Sequence, residues 1–197
     1  MSDFNEAFSF TMKHEDPHLS GVVTVDAGGR TRFGIAQKFH TELPQGFFDG
    51  PAEEALATAE QIEERDYWNP MRLSEIENQN IANKLFDMGV NMGIHQAGHM
   101  VQRAVNALIT SRSGAQAPGS PARAGFARDG VEVPSPANAL VLDGVIGDRT
   151  IAAINAADQI ALHQLLCELC KEFYRHIAAN NPAQAPYLNG WLKRAES

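Results

Sequence analysis

Lys13-His14-Glu15-Asp16-Pro17-His18-Leu19-Ser20-Gly21-Val22-Val23-Thr24-Val25-Asp26-Ala27-Gly28-Gly29-Arg30-Thr31-Arg32-Phe33-Gly34-Ile35 is the stretch whose reading decides the fold. Just before it, Phe4, Phe8 and Met12 recur at a spacing of four. Glu15 lies three residues after Met12 and seven after Phe8, so it shares their helical face. Pro17 disfavours helix at Asp16, which predicts a helix ending near Glu15. Beyond the proline the pattern changes. Val22, Val23, Thr24 and Val25 read as a short strand, Asp26 to Gly29 as a turn, and Thr31 to Ile35 as a returning strand.

This order places an acid where an apolar stripe meets solvent, and brings a second acid and a hydroxyl back towards it on a hairpin. Desolvation at the end of the stripe would raise the pKa of Glu15 and suit it to general acid work. Asp26 and Thr31 would then hold or activate water. Two carboxylates flanking a glycine-rich turn are one arrangement that cuts a glycosidic bond. If water attacks directly the product inverts, and the carboxyls should be roughly 6.5–9.5 Å apart. Each residue also has a plainer reading. Glu15 is then a solvated side chain at a frayed helix end, Asp26 a turn-capping residue, and Thr31 an ordinary strand residue.

The rest of the chain reads mainly as helix. Pro51 opens a helix with Glu53 and Glu54 in its first turn and Ala55, Ala59 and Ile62 inward. It runs to Tyr67-Trp68 and stops before Pro70; Trp68 reads equally as a sugar-stacking ring or a core lid. Ser74 with Glu77 reads as a capping box, followed by a stripe of Ile81, Leu85, Met88 and Met92 that marks a central buried helix. Asp87 and Asn91 share another face of that helix. The next helix spans about 94–110, with Ala97, Val101, Val105 and Leu108 inward. Its His95 and His99, four apart, are spaced as a metal pair but lack the glutamate of the zinc-protease motif. The segment 111–138 is rich in Ala, Gly, Pro and Ser, with Pro118, Pro121, Pro134 and Pro136, and reads as a mobile excursion. Asp143-Gly144 opens a turn into a helix through Ala156, and Asp158 caps a long helix striped by Leu162, Leu166, Leu169, Phe173 and Ile177. Tyr187 to Ala195 is a last short helix carrying Trp191.

A glutamate at a helix end followed by D-x-G-G-x-T-x-F-G-I resembles the start of the glycoside hydrolase family 108 muramidases. More distantly it resembles the Glu/Asp/Thr arrangement of phage-type lysozymes. The resemblance extends through Tyr67-Trp68, L-F-D-M-G-V-N-M-G at 85–93, Gln102, D-G-V-I-G-D-R-T at 143–150 and G-W-L-K-R at 190–194. It implies a mainly α, lysozyme-like helical domain with a small β-hairpin. It implies a catalytic part over 1–75 and a helical part over 76–197, similar to the family's peptidoglycan-binding segment, interrupted by 111–138 and packed with the first as one unit. It further implies a peptidoglycan hydrolase that cleaves the β-1,4 bond between N-acetylmuramic acid and N-acetylglucosamine. Glu15, Asp26 and Thr31 would be catalytic, and Tyr67, Trp68 and Asn91 would bind the glycan. The family usually reads E-G-G where this chain has Glu15-Asp16-Pro17, which alters the backbone just after the acid. A lytic transglycosylase, which needs one glutamate and no second carboxylate, and a non-enzymatic wall-binding protein are the alternatives.

Composition narrows the partners. The 197 residues carry a formal charge of −8, and no Lys/Arg cluster stands out, which argues against nucleic acid. The start, M-S-D-F-N-E-A-F, lacks the basic and apolar regions of a Sec signal, and no apolar run reaches membrane-span length. The expectation is synthesis in the cytoplasm and action on the cell wall in the periplasm after release by a holin or a secretion system. An immunity protein is a further expected partner. Cys167 and Cys170 lack a second C-x-x-C and read as core thiols. No cofactor fingerprint or metal motif is present, so neither is expected.

Overall fold

The computed structural model describes residues 1–26, 29–112 and 139–197; of Asp26 and Arg112 it describes the backbone alone. The predicted turn residues Ala27 and Gly28, and the excursion from 113 onward, lie outside the described residues. Helix α1 (Phe4–Glu15) is followed by strands β1 (Thr24–Asp26), β2 (Gly29–Arg32) and β3 (Ile35–Ala36). Then come α2 (Ala52–Glu63), α3 (Gln79–Met92), α4 (Ile94–Arg112), α5 (Asp148–Ala156), α6 (Gln159–Asn180) and α7 (Leu188–Ala195). The architecture is mainly helical with one small antiparallel sheet, as the sequence implied.

Helix α3 is the hub. Ile81, Ala82, Leu85, Phe86 and Met88 are all buried, and α1, α4 and α6 pack around it. Its start corrects the sequence reading. Ser74 sits in a short 3-10 turn, Leu73–Glu75, and the cap is Asn78, whose carboxamide oxygen accepts the Ile81 N–H at 3.2 Å. Asn78 stands directly before the stripe with extended backbone, the geometry that an N-cap requires.

Helix α6 begins after Asp158, which caps the Ala161 N–H as expected. Its buried line is Leu162, Leu166, Cys170 and Tyr174, so Leu169, Phe173 and Ile177 fall on the half-buried flank. Both cysteines are free and buried, and burial pushes the Cys170 thiol up to about 12. Between α4 and α5 the buried Gln102 carboxamide clamps the turn that opens α5. It donates to Asp143 Oδ1 at 2.7 Å and the Val145 carbonyl at 3.0 Å, and accepts the Gly144 N–H at 2.9 Å. That turn lies so close to α4 that a Cβ on Gly98 would sit 2.0 Å from the Gly144 carbonyl oxygen.

The sheet has one more strand than the hairpin read from the sequence. β1 pairs β2 with Thr24 opposite Thr31, and β2 pairs β3 with Arg32 opposite Ile35. The loop between β2 and β3 is Phe33-Gly34, both at positive φ (49° and 77°), the pairing that a two-residue hairpin turn uses. Phe33 is held in that conformation by burial of its ring. Buried Arg32 anchors the sheet by donating to the carbonyls of Gly21 (2.8 Å), Phe47 (2.7 Å) and Gly50 (3.0 Å).

Candidate active site

Glu15 ends α1, as the Pro17 argument predicted. The Asp16-Pro17 departure has a structural use. Asp16 caps the helix with its backbone, and its carboxylate accepts Ser20 Oγ at 3.0 Å and the Gly21 N–H at 2.7 Å, which closes the loop into β1. Burial works against that charge, but hydrogen bonds from Ser20, Gly21 and His18 hold the carboxyl below the usual range.

The Glu15 side chain is 24% exposed. Its main partner comes from the far end of the chain. Arg194 on α7 donates from Nη1 to Glu15 Oε1 at 2.6 Å. The same guanidinium donates from Nε to both oxygens of buried Asp87 on α3, at 3.0 and 3.2 Å. Its Nη2 lies 2.9 Å from Asp87 Oδ1, within ion-pair range but not aligned for a hydrogen bond. Burial works against the Arg194 charge, yet the carboxylates of Asp87 and Glu15 outweigh it and keep the guanidinium protonated. Lys84, also buried, donates to the carbonyls of Ala195 (2.9 Å) and Arg194 (3.3 Å), so an ammonium caps the C-terminal end of α7.

A second carboxyl completes the cluster. Glu63, the last residue of α2, has 0% exposure, and neither carboxyl oxygen has a hydrogen-bond partner among the described residues. Burial first, then the Glu15 charge, pushes it well above the usual carboxylate range, although Arg194 pulls the other way. Glu63 is therefore the carboxyl whose protonated form this fold favours. Gly34 lies between the two acids. A Cβ there would meet Glu15 Cγ at 3.4 Å and Glu63 Oε1 at 3.5 Å. The β-turn thus brings its bare backbone against both carboxyls.

The remaining residues named from the sequence divide. Thr31 lies half-buried on β2, paired with Thr24 and Ala36. The Asp26 backbone ends β1, opposite Gly29; its side chain lies outside the described atoms. Tyr67 is half-buried, and its phenol is pushed up by burial and by the nearby acids Glu63, Asp66 and Glu15, which places it at the cluster. Trp68 is corrected. It is 3% exposed, with Phe4 and Phe86 set edge-on to it, so the ring is a core lid and offers no free face to a sugar. Asn91 is exposed and accepts the Tyr174 hydroxyl at 2.7 Å, which fixes its carboxamide beside α6.

Missed from the sequence were Glu63, Arg194 and the role of Asp87. Glu63 stands eight residues after Ala55 and four after Ala59, so it continues the buried stripe of α2. Arg194 closes the G-W-L-K-R motif. The imidazole of buried His40 lies 3.5 Å from Glu42 and 3.9 Å from Asp66, a set of metal-ligating types. Arg65 already spans both carboxylates, at 2.9 Å to Glu42 and 2.6 Å to Asp66, so the cluster is charge-compensated by protein. His95 and His99 pack edge to face, ring centroids 4.6 Å apart.

A carboxyl held by arginine at a helix end, beside a β-turn and a second, buried carboxyl, is a set of groups from which a glycoside hydrolase can draw its general acid. Comparison with known proteins agrees. Residues 8–93 match the family described as Glycosyl hydrolase 108, and residues 137–196 match the family described as Predicted Peptidoglycan domain. The chain is thus a glycoside hydrolase of the peptidoglycan-hydrolase kind. A similar solved structure is that of Brucella abortus SagA, with a TM-score of 0.61 and 17% identity over 95% of this chain and 89% of that one. No curated protein sequence matches the chain. Among the described residues no helix is long and apolar enough to cross a membrane.

Proposed function

We propose that the protein is an N-acetylmuramidase that cleaves the β-1,4 bond between N-acetylmuramic acid and N-acetylglucosamine, with Glu15 as general acid. The observation that carries the reading is the Glu15–Arg194–Asp87 cluster. It fixes one partly exposed carboxyl at the end of α1, and it requires the two matched segments to pack together. Glu15 protonates the glycosidic oxygen as the bond to C1 breaks. Water, held by Asp26 and Thr31 on the sheet, attacks C1 from the opposite face. Tyr67, beside the cluster, contacts the sugar. The segment 137–196 both grips the glycan and supplies Arg194. The wall is reached in the periplasm after release by a holin or a secretion machine, and the product is lysis; an immunity protein would protect a producing cell.

Digestion of purified sacculi followed by mass spectrometry of the fragments tests this. The expected ends are reducing N-acetylmuramic acid. Anhydro-muramic ends would instead assign a lytic transglycosylase, and undigested sacculi would leave only wall binding.

A further inference from the structure

Two segments meet at the buried His40. After β3 the chain passes through His40-Thr41-Glu42, and α2 ends in one turn of π-helix, Glu64–Trp68, closed by the Asn69 N–H to the Glu64 carbonyl at 2.9 Å. Single π-turns of this kind recur at functional sites, and this one carries Arg65 and Asp66. His40 is 9% exposed. Its Nδ1 faces Glu42 Oε1 at 3.5 Å and Asp66 Oδ2 at 3.9 Å, both longer than an ordinary hydrogen bond. The imidazole is thus nine-tenths buried, with one nitrogen aimed at two carboxylate oxygens and bound closely to neither. Those same two oxygens share a single donor. Arg65 Nη2 donates to Glu42 Oε1 at 2.9 Å and to Asp66 Oδ2 at 2.6 Å, while its Nε donates to Asp66 Oδ1 at 2.6 Å. The Arg65 side chain is 55% exposed, so the guanidinium has open solvent to swing into. It brings one positive charge to two carboxylates, where a divalent ion brings two.

We propose that His40 Nδ1, Glu42 Oε1 and Asp66 Oδ2 form a binding site for a divalent transition-metal ion of the Zn²⁺ class, and that Arg65 Nη2 is the group the ion displaces. The three ligand atoms lie within 4.8 Å of one another. Zinc–ligand bonds of about 2.0–2.1 Å set the corners of a tetrahedron about 3.3–3.4 Å apart. The His40–Glu42 edge, 3.5 Å, is already close to that length. The His40–Asp66 edge, 3.9 Å, has to shorten by about 0.5 Å, which the partly exposed Asp66 side chain can supply. One imidazole and two carboxylates are a donor set that zinc takes, with the fourth corner left to water. The ion takes the Nδ1 lone pair, so the ring keeps its proton on Nε2. His40 also lines an open cavity with Gln37, Thr41 and Gln45, which gives the ion an entry path. On binding, Arg65 gives up its two Nη2 contacts and keeps Nε on Asp66 Oδ1, the oxygen that does not face His40. The arginine then orients a ligating carboxylate from behind. The site shares no residue with the Glu15–Arg194–Asp87 cluster, so it stands whether or not the protein cleaves glycan.

Calorimetric titration of EDTA-treated, dialysed protein with ZnCl₂ tests the site. Wild type should take up one Zn²⁺ per chain through these ligands. Affinity should fall by about tenfold or more in His40→Ala and in Glu42→Gln, since even residues that only support a ligand cost that much. Arg65→Gln should bind more tightly than wild type, because the competing cation is gone. Glu42 and Arg65 are exposed, so these two variants keep the fold even where His40→Ala does not. Co²⁺ adds a spectroscopic reading: a tetrahedral site gives strong visible absorption, which Glu42→Gln should weaken. No zinc uptake by wild type would overturn the proposal, as would Glu42→Gln binding no weaker or Arg65→Gln binding no tighter. Zinc lost on His95→Ala with His99→Ala but kept in Glu42→Gln would place the ion on that histidine pair and overturn it equally.

Discussion

Glu63→Gln makes a thermodynamic prediction that can be worked from its burial alone. The carboxyl is neutral in the fold, with burial and the Glu15 charge opposing its ionisation. In the unfolded chain it titrates at the ordinary glutamate value, about 4.3. Below that pH both states hold the proton, and Glu63 imposes no pH dependence. Above it the unfolded state loses its proton while the folded state keeps it, so wild-type stability falls as pH rises until the folded pKa is passed. The slope is about 1.4 kcal/mol per pH unit for one proton. Side-chain exposure is nil, so solvent screening does not reduce it. For a chain of this length each kcal/mol moves Tm by about 2–4 °C, which makes the effect about 3–6 °C per pH unit. Gln has nearly the same shape and does not titrate. The difference in Tm between Glu63→Gln and wild type should therefore be small at pH 4 and widen in favour of the variant as pH rises, until the folded pKa is passed. Calorimetry at matched ionic strength measures it directly. A difference that stays constant over this range would refute the claim that Glu63 is buried in its neutral form.

Three further expectations follow from the packing. Arg194→Met should destabilise by about 3–5 kcal/mol, because it leaves the buried Asp87 charge uncompensated, and Arg194→Met with Asp87→Asn should lose less than the single variant; urea melts of both check it. Trp68→Ala should cost about 3–5 kcal/mol as a cavity among Phe4 and Phe86, whereas Trp68→Phe should keep sacculus binding, contrary to a sugar-stacking role. Asn78→Ala should cost about 1 kcal/mol and Ser74→Ala under about 0.5 kcal/mol by the same melts, since Asn78 alone caps α3.

Helix periodicity was legible wherever the stripe was apolar. The end of α1 at Glu15, the buried α3 and the cap at Asp158 all follow from spacing and a proline or cap residue. The Ser74 cap failed because two polar residues before α3 suit an N-cap, and only backbone geometry chooses Asn78. The site was half legible. Glu15 was visible as an acid on an apolar stripe. Glu63 continues another stripe, but a glutamate at a helix end is read as solvated when nothing shows what surrounds it. Arg194 lies 179 positions from Glu15, and no local pattern reports that α7 folds back over α1 and α3. The expected desolvation exists in the cluster, but it falls on Glu63, while Glu15 meets an arginine.

Replacing Glu15 by Gln is the most direct test of the central claim. Shape and the neighbouring backbone are kept while the proton donor is removed, so release of reducing N-acetylmuramic acid ends from sacculi should fall by about 10²–10⁴-fold with secondary structure intact. A folded Glu15→Gln that retains more than about a tenth of wild-type turnover, well outside that range, would contradict the assignment of Glu15 as the general acid.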